Sequence, residues 1–365
     1  MRSSPALAVI AAGGTGGHLF PAQAVSEALA QRGWRIILAT DHRTRNLTAD
    51  FPAESQVAIV SATLSGGPTA RARQMLTLAR GFLQALRTLA RLKPDIVVGF
   101  GGYPSLPTLL AARSLGLRTV IHEQNAVMGR ANRLLAPGVT AIACAFPTLM
   151  KAPPAVGARA VVVGNPVRPA IRALAGSPYE APTPGGPLHL FVTGGSQGAR
   201  VLSETVPAAV AALPAPMRAR LRIVQQTRPE VLESAAAQYR DAGVEADLSP
   251  FFADMDQRWL WAHLVVARAG ASTVGEIAVA GRPAILVPLR IALDDDQGQN
   301  ARLLAEAGAA VVAPEATLNA QSLADLIANL LGDAERLADM AAAARAVAIP
   351  DAAERLADLI ERTAG

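Results

Sequence analysis

Short apolar runs alternate with alanine- and leucine-rich stretches along the chain, and this alternation constrains the fold more than any other feature. Within each run the apolar residues are continuous, which indicates strands that are buried on both faces of a parallel sheet. The stretches between them, such as residues 22–31 and 104–114, have the composition of helices. The predicted strands are LAVIAA, WRIILAT, QVAIVSA, DIVVGFG, RTVIHEQ, VTAIACAF and RAVVVG in the first half, and LHLFVTGG, LRIVQQT, HLVVARAG, PAILVPL and AAVVAPE in the second.

The proline- and glycine-rich passage GSPYEAPTPGGP at residues 176–187 interrupts the alternation, which then begins again. This composition is typical of a domain boundary, and 365 residues are enough for two domains with a core each. We therefore predict an α/β fold in which two Rossmann-like, doubly wound parallel-sheet domains face each other across a cleft. The predicted segments are a first domain at 1–165, a second domain at 166–345, and a C-terminal helix at 346–365 that could pack back on the first domain.

The composition argues against several classes of protein. No window has the roughly 18 uncharged apolar residues that a membrane span needs, and the apolar N-terminal stretch leads into a glycine loop instead of a signal-peptide cleavage site. Cys144 is the single cysteine, so neither a disulfide framework nor a thiolate metal cluster is expected, and the chain is predicted to be cytoplasmic. The net charge of +5 and the scarcity of aromatic residues favour an anionic lipid or a diphosphate ligand over nucleic acid.

A glycine-rich loop follows the first predicted strand and precedes a helix. Glycines at such a turn let backbone N–H groups approach an anion, and the helix adds its positive N-terminal end, so the loop is a candidate phosphate site. The dinucleotide pattern G-x-G-x-x-G fails because Leu19 stands where its third glycine would be, although Asp41 after the second strand keeps a dehydrogenase as an alternative. The loop consists of Gly13, Gly14, Thr15, Gly16, Gly17 and His18.

His18 lies at the mouth of this loop, where the helix N-terminus disfavours a protonated imidazole. A neutral His18 could accept a proton from a substrate, or it could only cap the helix or contact phosphate. A second polar cluster, HEQN at residues 122–125, follows another predicted strand. In it His122 and Glu123 are alternative acid–base candidates, and Asn125 could donate to a sugar hydroxyl or carbonyl.

The second half opens with the same arrangement, a strand followed by the loop GGSQG. Ser196 in this loop can donate its hydroxyl to a phosphate oxygen. Because ligands of doubly wound sheets bind at the carboxyl ends of the strands, we expect both glycine loops in one cleft, each with a phosphorylated ligand. The second loop consists of Gly194, Gly195, Ser196, Gln197 and Gly198.

Two later segments offer polar residues with more than one interpretation. In RAGASTVGEIAVAGRP, Ser272 or Thr273 could cap a helix with Glu276 as the capping acid, or Glu276 could accept both hydroxyls of a ribose; the local pattern favours the cap. In LDDDQGQNA, the carboxylates at 294–296 could bind a metal, but no His or Cys accompanies them and a solvated loop is favoured. The residues of this loop that could contact a ligand are Gln297 and Asn300.

A long helix is predicted at residues 71–93, RARQMLTLARGFLQALRTLARLK. Its apolar stripe could simply cover a sheet while its arginines face solvent. Alternatively, apolar insertion and arginine attraction could together bind an anionic membrane. Gly81 in its middle suggests a break or kink. The apolar stripe consists of Met75, Leu78, Phe82, Leu86 and Leu89, and the predicted membrane patch of Arg73, Met75, Arg80, Phe82 and Arg87.

Taken together and in this order, the motifs resemble those of the MurG family, peripheral-membrane glycosyltransferases with the GT-B fold. The resemblance spans residues 8 to about 308 and implies inverting transfer of N-acetylglucosamine from UDP-N-acetylglucosamine (UDP-GlcNAc). The acceptor would be the carbon-4 hydroxyl of N-acetylmuramic acid on undecaprenyl-pyrophosphoryl-MurNAc-pentapeptide (lipid I), and the products lipid II and UDP, in peptidoglycan synthesis. The motifs are GGTGGH, VGFGGYPS, IHEQNAVMGRANR, GNPVR, GGSQGAR, RAGASTVGEIAVAGRPAILVP and DQGQNA.

The resemblance also implies roles for individual residues. UDP-GlcNAc would be held mainly by the second domain, with the acceptor pyrophosphate at the first glycine loop and the donor diphosphate at the second. His18 is the favoured general base, with Glu123 or His122 as alternatives. The backbone of Phe252 would contact uracil and Glu276 the ribose, which reverses the local preference for a cap. The implied UDP-GlcNAc-binding residues are Thr15, Gly16, Gly17, Asn125, Arg168, Ser196, Phe252, Ala271, Ser272, Thr273, Val274, Gly275, Glu276 and Gln297.

The sequence departs from the family pattern at three places. Residues 225–228 read QQTR where the family has His-Gln-Thr-Gly, which weakens any predicted contact by that segment, and Asp296 replaces the His or Gln before Gln297, which weakens the predicted sugar contact there. Phe252 stands where the family commonly has a smaller aliphatic residue, but a backbone contact with uracil should survive this change. The family implies no cofactor and no protein-bound metal cluster, and a peripheral location on the cytoplasmic face of the cell inner membrane, with cell-wall synthesis proteins as possible partners. The competing functions are another sugar-nucleotide enzyme of this fold, such as a UDP-N-acetylglucosamine epimerase, and a non-catalytic binder of anionic membrane or nucleotide.

Overall fold

The computed structural model describes residues 5–14, 16–41, 51–62, 67–102, 104–195, 198–289 and 294–365. The chain divides into two compact units, of which Met1–Arg168 together with Asp351–Gly365 form the first and Pro169–Pro350 the second. The division falls after Arg168, a few residues beyond the expected position 165.

The described strands of the first unit form a parallel, doubly wound sheet. They are β1 (Leu7–Ala11), β2 (Arg35–Thr40), β3 (Ser55–Ala58), β4 (Ile96–Gly99), β5 (Arg118–Glu123), β6 (Ala141–Cys144) and β7 (Ala160–Val162). Their order is β3-β2-β1-β4-β5-β6-β7, and Ala8 of β1 pairs with Ile36 of β2 and Ile96 of β4. The direction of winding reverses between β1 and β4, which makes their carboxyl ends the topological switch point.

Helices cover both faces of this sheet because its strands are apolar on both sides. The helices are α1 (Gly16–Gln31), α2 (Pro68–Leu92), α3 (Ser105–Ser114), α4 (Arg130–Leu135) and α5 (Pro154–Gly157). On one face, Leu89 of α2 and Leu109 of α3 pack in a buried cluster with Val9 and Val97. Alternate strand residues point to the other face, where Leu19 of α1 is buried in a separate cluster.

The second unit repeats this architecture. Its described strands are β8 (Leu188–Thr193), β9 (Leu221–Gln226), β10 (Glu245–Ser249), β11 (Leu264–Ala267), β12 (Ala284–Leu286) and β13 (Ala310–Val312). They form a parallel sheet in the order β10-β9-β8-β11-β12-β13, with its switch point between β8 and β11. Both units therefore have the predicted Rossmann-like fold.

Helices of the second unit also lie on both sides of its sheet. They are α6 (Pro169–Arg172), α7 (Arg200–Ala212), α8 (Ala215–Arg218), α9 (Leu232–Asp241), α10 (Met255–Trp261), α11 (Ala271–Ala280), α12 (Asp296–Glu306), α13 (Ala320–Leu331) and α14 (Ala334–Ala346). Leu202 of α7, Tyr239 of α9 and Ile327 of α13 share one buried cluster, whereas α11 packs against α12 and α14. Asn319 starts α13 as a capping box, because its side chain accepts from the N–H of Ser322 at 2.9 Å.

The last helix, α15 (Ala352–Ala364), belongs to the first unit. Its Leu356 and Ile360 are fully buried in the cluster that contains Leu19, and the helix packs against α1. The segment was expected to be helical from residue 346. The structure instead ends α14 at Ala346 and begins α15 at Ala352, because Pro350 cannot donate to a helix and disfavours a helical residue before it.

Strand β10 was not predicted. Its sequence EADLS carries two carboxylates, and it pairs only with β9, at the edge of the sheet as described. An edge strand is less buried than a central strand and needs no continuous apolar run. The continuous apolar pattern that predicts the central strands therefore does not predict β10.

Helix α2 is continuous from Pro68 to Leu92, so the predicted kink at Gly81 is wrong. A Cβ on Gly81 would lie 1.9 Å from the carbonyl oxygen of Val60. Glycine is therefore needed for the close approach of α2 to the chain after β3.

Candidate functional site

Two glycine turns meet at the switch point of the first sheet, where doubly wound sheets bind ligands. After β1, Gly14 has a φ of 91°; after β4, Gly101 and Gly102 have φ values of 82° and 74°, a left-handed conformation that favours glycine. A Cβ on Gly102 would lie 2.3 Å from the carbonyl oxygen of Gly13, so the two turns touch. Helix α1 begins beside them at Gly16, and the first N–H groups of a helix are available to an anion.

His18 lies on the first turn of α1 and packs against the glycine turn that follows β4. A Cβ on Gly101 in that turn would be 3.1 Å from Cε1 of His18. Its Nδ1 is 3.2 Å from Oε1 of Gln124, which follows β5. Burial lowers the pKa of His18, against smaller opposing effects from the Glu123 carboxylate and the hydrogen bond to Gln124. His18 is therefore neutral at pH 7 and able to accept a proton.

Gln124 and His122 are buried beside His18. Nε2 of Gln124 donates to the carbonyl oxygen of Phe100 at 2.7 Å and lies 3.3 Å from Nδ1 of His122. Nε2 of His122 lies 3.0 Å from the carbonyl oxygen of Gly164, and burial lowers the pKa of His122 to about 4. Both ring nitrogens of His122 thus have partners.

Glu123 organises the segment after β5. Its Oε1 accepts from the N–H of Asn125 at 3.0 Å, and its Oε2 accepts from the N–H of Gly129 at 2.9 Å and from Nδ2 of Asn132 at 2.8 Å. The side chain is 2% exposed. Glu123 therefore fixes the conformation of the loop that contains Asn125.

The segment after β7 carries Asn165 and Arg168. The guanidinium of Arg168 lies over the ring of Phe20 of α1, 5.0 Å from its centre. Asn165 is 8% exposed, and neither its amide oxygen nor its amide nitrogen has a hydrogen-bond partner among the described residues. An unpaired buried amide is costly, so Asn165 is a candidate for ligand contact that the sequence did not single out.

The second glycine loop joins β8 to α7. Gly195 and Gly198 have positive φ values of 77° and 67°. Oε1 of Gln226 accepts from the N–H of Gly194 at 3.0 Å and from Oγ1 of Thr193 at 3.1 Å. Gln226, which lies in the segment 225–228 that departs from the family pattern, thus stabilises the conformation of the second glycine loop.

Two predicted contacts lie outside the described residues, namely Thr15 in the first loop and Ser196 in the second. The loop residue Gln197 also lies outside them. Their predicted roles remain predictions.

The turn after β11 starts α11 at Ala271, and the N-cap is Gly270 without a side-chain cap. The local interpretation of Ser272 or Thr273 as the cap, with Glu276 as the capping acid, is therefore wrong. Glu276 lies on the second turn, 7% exposed, and its Oε2 accepts from Nε1 of Trp259 at 3.2 Å. The hydroxyl of Ser272 is buried and has no hydrogen-bond partner among the described residues, and Val274 and Gly275 continue the helix.

Phe252 and Gln297 lie in the same unit. The Phe252 ring is buried, with the guanidinium of Arg258 over it, 4.8 Å from the ring centre. Oε1 of Gln297 accepts from the N–H of Leu289 at 3.0 Å, and Nδ2 of the fully buried Asn300 donates to the carbonyl oxygen of Ala269 at 3.2 Å. Asn300 therefore ties α12 to the turn that precedes α11. In the part of the chain that the structure describes, no cluster of three metal-ligating side chains occurs, at 294–296 or elsewhere.

Helix α2 does not expose the whole predicted membrane patch. Met75 is 59% exposed and Arg73, Arg80 and Arg87 are exposed, but Phe82 is half-buried against the core because the helical period places it near Leu89. The exposed apolar residues beside the arginines are Met75, Leu76 and Leu83. None of the helices in the described residues is long and apolar enough to span a membrane.

The comparisons with known proteins agree with this architecture. The N-terminal domain of glycosyltransferase family 28 matches residues 8–144, and the C-terminal domain of that family matches residues 189–356. The curated UDP-N-acetylglucosamine–N-acetylmuramyl-(pentapeptide) pyrophosphoryl-undecaprenol N-acetylglucosamine transferase of Phenylobacterium zucineum (strain HLK1) is 61% identical over 358 residues, 98% of each chain. The chain belongs to glycosyltransferase family 28.

Other known proteins extend the match. The enzyme of the same name from Caulobacter vibrioides (strain NA1000 / CB15N) is 56% identical over 98% of this chain and 99% of its own. The crystal structure of Acinetobacter baumannii MurG is similar with a TM-score of 0.78 and 32% identity, over 98% of this chain and all of that one. The resemblance to the MurG family and its GT-B fold is thereby confirmed. A putative UDP-N-acetylglucosamine 2-epimerase from Listeria monocytogenes, at 18% identity and a TM-score of 0.70, shares the fold.

Several residues at these sites do not follow from the sequence analysis. The glycines of VGFGGYPS form a turn against the first glycine loop, and the signal for it is the same as for both predicted loops, a strand followed by glycines. Trp259 and Gln226 support the second unit's site from other elements, and no local pattern identifies them.

Proposed function

We propose that this protein transfers N-acetylglucosamine from UDP-GlcNAc to the carbon-4 hydroxyl of N-acetylmuramic acid on lipid I, with inversion, to give lipid II and UDP. The observation that carries the proposal is the 61% identity, over 98% of both chains, to a curated transferase whose name specifies this donor and acceptor. The geometry of each unit supplies groups that suit the reaction.

The first unit supplies the general base. An alcohol attacks poorly unless its proton is removed as the new bond forms, which is worth roughly 10²–10⁴-fold in rate. Nε2 of neutral His18 can take this proton. Both nitrogens of His122 and the oxygens of Glu123 are committed to other groups, which argues for His18 over these alternatives.

Backbone N–H groups would bind the pyrophosphate groups of both substrates. The glycine turns and the start of α1 would hold the acceptor pyrophosphate. The second loop at the start of α7 would stabilise the charge that gathers on the departing UDP. We propose that no protein-bound metal is required, so turnover should survive chelation by EDTA.

The nucleotide would lie along α11 of the second unit. Glu276, oriented by the indole of Trp259, accepts the ribose hydroxyls, and the buried hydroxyl of Ser272 finds its partner in the ligand. The backbone of Phe252 contacts uracil, and Gln297 lies near the donor sugar.

The function is tested by incubating the protein with labelled UDP-GlcNAc, with and without a lipid I analogue. Label should move into lipid, and UDP should accumulate, only when the acceptor is present. Epimerised sugar without acceptor would instead identify a sugar-nucleotide epimerase, and no turnover would favour a binding protein.

The base assignment is tested with His18→Ala. Removal of the base should lower kcat by roughly 10²–10⁴-fold with little change in KM for UDP-GlcNAc. Gln23→Ala on the same helix is the matched control, since the Gln23 side chain bonds only to Glu27 among the described residues. Near-normal turnover of His18→Ala would remove His18 from the mechanism.

We further propose that the protein acts at the cytoplasmic face of the inner membrane and binds it through α2. Three exposed apolar side chains lie among exposed arginines on this helix, which suits insertion into an anionic surface. The proposed surface consists of Arg73, Met75, Leu76, Arg80, Leu83 and Arg87.

Sedimentation with vesicles tests the membrane proposal. Binding to anionic vesicles should fall with salt, and should fall strongly when Arg73, Arg80 and Arg87 are replaced by glutamine. The control replaces Arg302, Arg336 and Arg362, exposed arginines on other helices, with the same change in net charge. Equal losses for both triple variants would mean that α2 has no special role.

A further inference from the structure

We propose that Gln124 is a positioning residue for His18. Its amide keeps the imidazole in the tautomer that carries the proton on Nδ1 and leaves Nε2 bare toward the acceptor hydroxyl. This inference deepens the proposed function, because it rests on His18 as the base.

The orientation of the Gln124 amide follows from its neighbours. The carbonyl oxygen of Phe100, 2.7 Å away, can only accept, so the amide nitrogen must face it. The amide oxygen therefore faces Nδ1 of His18 at 3.2 Å. Because this oxygen can only accept, Nδ1 of His18 must carry the proton, and in the neutral ring Nε2 then has none.

His122 fixes the same arrangement from the other side. Its Nε2 faces the carbonyl oxygen of Gly164 at 3.0 Å and must donate, so its Nδ1 is an acceptor. The second N–H of the Gln124 amide faces this acceptor at 3.3 Å. The chain from Gly164 to His18 thus has one consistent assignment of protons, anchored at two backbone carbonyls, and a flipped amide would break its contacts with Phe100, His122 and His18.

The neutral amide also limits the charge at His18. The titratable groups that face the ring are Glu123, whose carboxylate favours the imidazolium, and His122, which is neutral at pH 7. A carboxylate at position 124 would hold the same tautomer but would stabilise the imidazolium further, so that less of the free base remained near neutral pH. An amide fixes the tautomer without this cost.

The first test uses Gln124→Leu, with Gln23→Ala as the control. Without the Gln124 amide oxygen, Nδ1 of His18 loses an acceptor that holds its proton, so a larger share of the rings carries the proton on Nε2, and those rings cannot act as the base. We expect kcat to fall by about tenfold or more, up to the roughly 10²–10⁴-fold that a general base supplies, with KM for UDP-GlcNAc little changed. Nitrogen-15 NMR of labelled His18 should show the proton on Nδ1 in the parent protein. In Gln124→Leu it should show a mixture of the two neutral tautomers, with the proton on Nδ1 in some rings and on Nε2 in others.

The second test uses Gln124→Glu, which is closer in shape and guards against a fold defect in the leucine variant. The acid limb of the pH profile of kcat/KM should move to higher pH, while the NMR signature of Nδ1–H is kept. An unchanged pH profile in Gln124→Glu, or His18 in the parent protein with its proton on Nε2, would overturn the inference. If the NMR results hold but His18→Ala stays active, the tautomer lock stands and the proposed base fails.

Discussion

At the scale of single residues, Glu123 links stability to the site. Replacing it with glutamine turns one of its acceptor oxygens into a donor that must face the N–H of Asn125 or the donors of Gly129 and Asn132. We expect Glu123→Gln to lower the free energy of unfolding by about 1–3 kcal/mol, measured by urea denaturation. Glu204→Gln, which breaks an exposed ion pair with Arg200 on α7, should lower the free energy of unfolding much less than Glu123→Gln.

The same variant separates two roles of Glu123 in catalysis. Since the Glu123 carboxylate raises the pKa of His18, its loss should move the acid limb of the pH profile to lower pH. If Glu123 were itself the base, Glu123→Gln would lose its activity, and no acid limb of the pH profile could be measured.

His122 makes stability depend on pH. Its pKa is about 4 in the folded chain, below the usual 6.5, so the unfolded chain binds more protons between these values. Stability from this residue is fully present above about pH 6.5 and is lost as pH falls toward 4, by up to about 1.4 kcal/mol per pH unit. In His122→Gln, whose amide can accept from Gln124 and donate to Gly164, the proton uptake on unfolding near pH 5 should fall by about one. An unchanged uptake would mean that His122 is not buried as a neutral ring.

The site was predictable in part from local sequence. The glycine loop before a helix identified His18 as a candidate, and the polar cluster at the carboxyl end of a buried strand identified Glu123 and Asn125, because parallel strands bring their carboxyl ends together. The hydrogen bond from His18 to Gln124 joins residues 106 positions apart, so no local pattern contains it. Glu276 was assigned locally to a cap for the same reason: its partner Trp259 lies on another helix.

At the scale of elements, a substitution at Gly81 tests how closely α2 packs against the chain after β3. Gly81→Ala would place a methyl group 1.9 Å from the carbonyl oxygen of Val60, so the helix must shift from the sheet. We expect a loss of about 1–3 kcal/mol in the free energy of unfolding. Gly157→Ala is the control, because a Cβ there meets no atom within 4 Å and should be neutral or stabilising. Equal stability of both variants would contradict the close approach.

The central strands were predictable from the sequence, whereas the edge strand β10 was not. Strands β1, β4 and β5 were predicted because every position in them except Arg118 is buried, which leaves an uninterrupted apolar or buried-polar run. Strand β10 is half-exposed, and its pattern of exposed and partly buried residues could equally belong to a loop. The exposed face of α2 was only partly predicted, because the sequence of an apolar stripe does not show which of its residues pack against the sheet and which stay exposed.

At the scale of the molecule, α15 stabilises the first unit from the far end of the chain. Leu356→Ala removes a fully buried side chain and should cost about 2–5 kcal/mol. Hydrogen exchange followed by mass spectrometry should show lost protection in α1 and β4, while α7 and α13 keep theirs. Arg355→Ala, at an exposed position of the same helix, should leave both units unchanged. Loss of protection in the second unit alone would contradict this placement of α15.

This return of α15 also sets an order of events during synthesis. The ribosome makes β1 to β7 first, then every strand of the second unit, and only afterwards the helix that closes the apolar surface over Leu19 and Val25. A nascent chain therefore carries that surface uncovered while some 180 residues are translated, at about 5–20 residues per second. A stop codon just before α15 would leave a finished second unit attached to a first unit that stays open, and such a product is a natural target for chaperones and proteases.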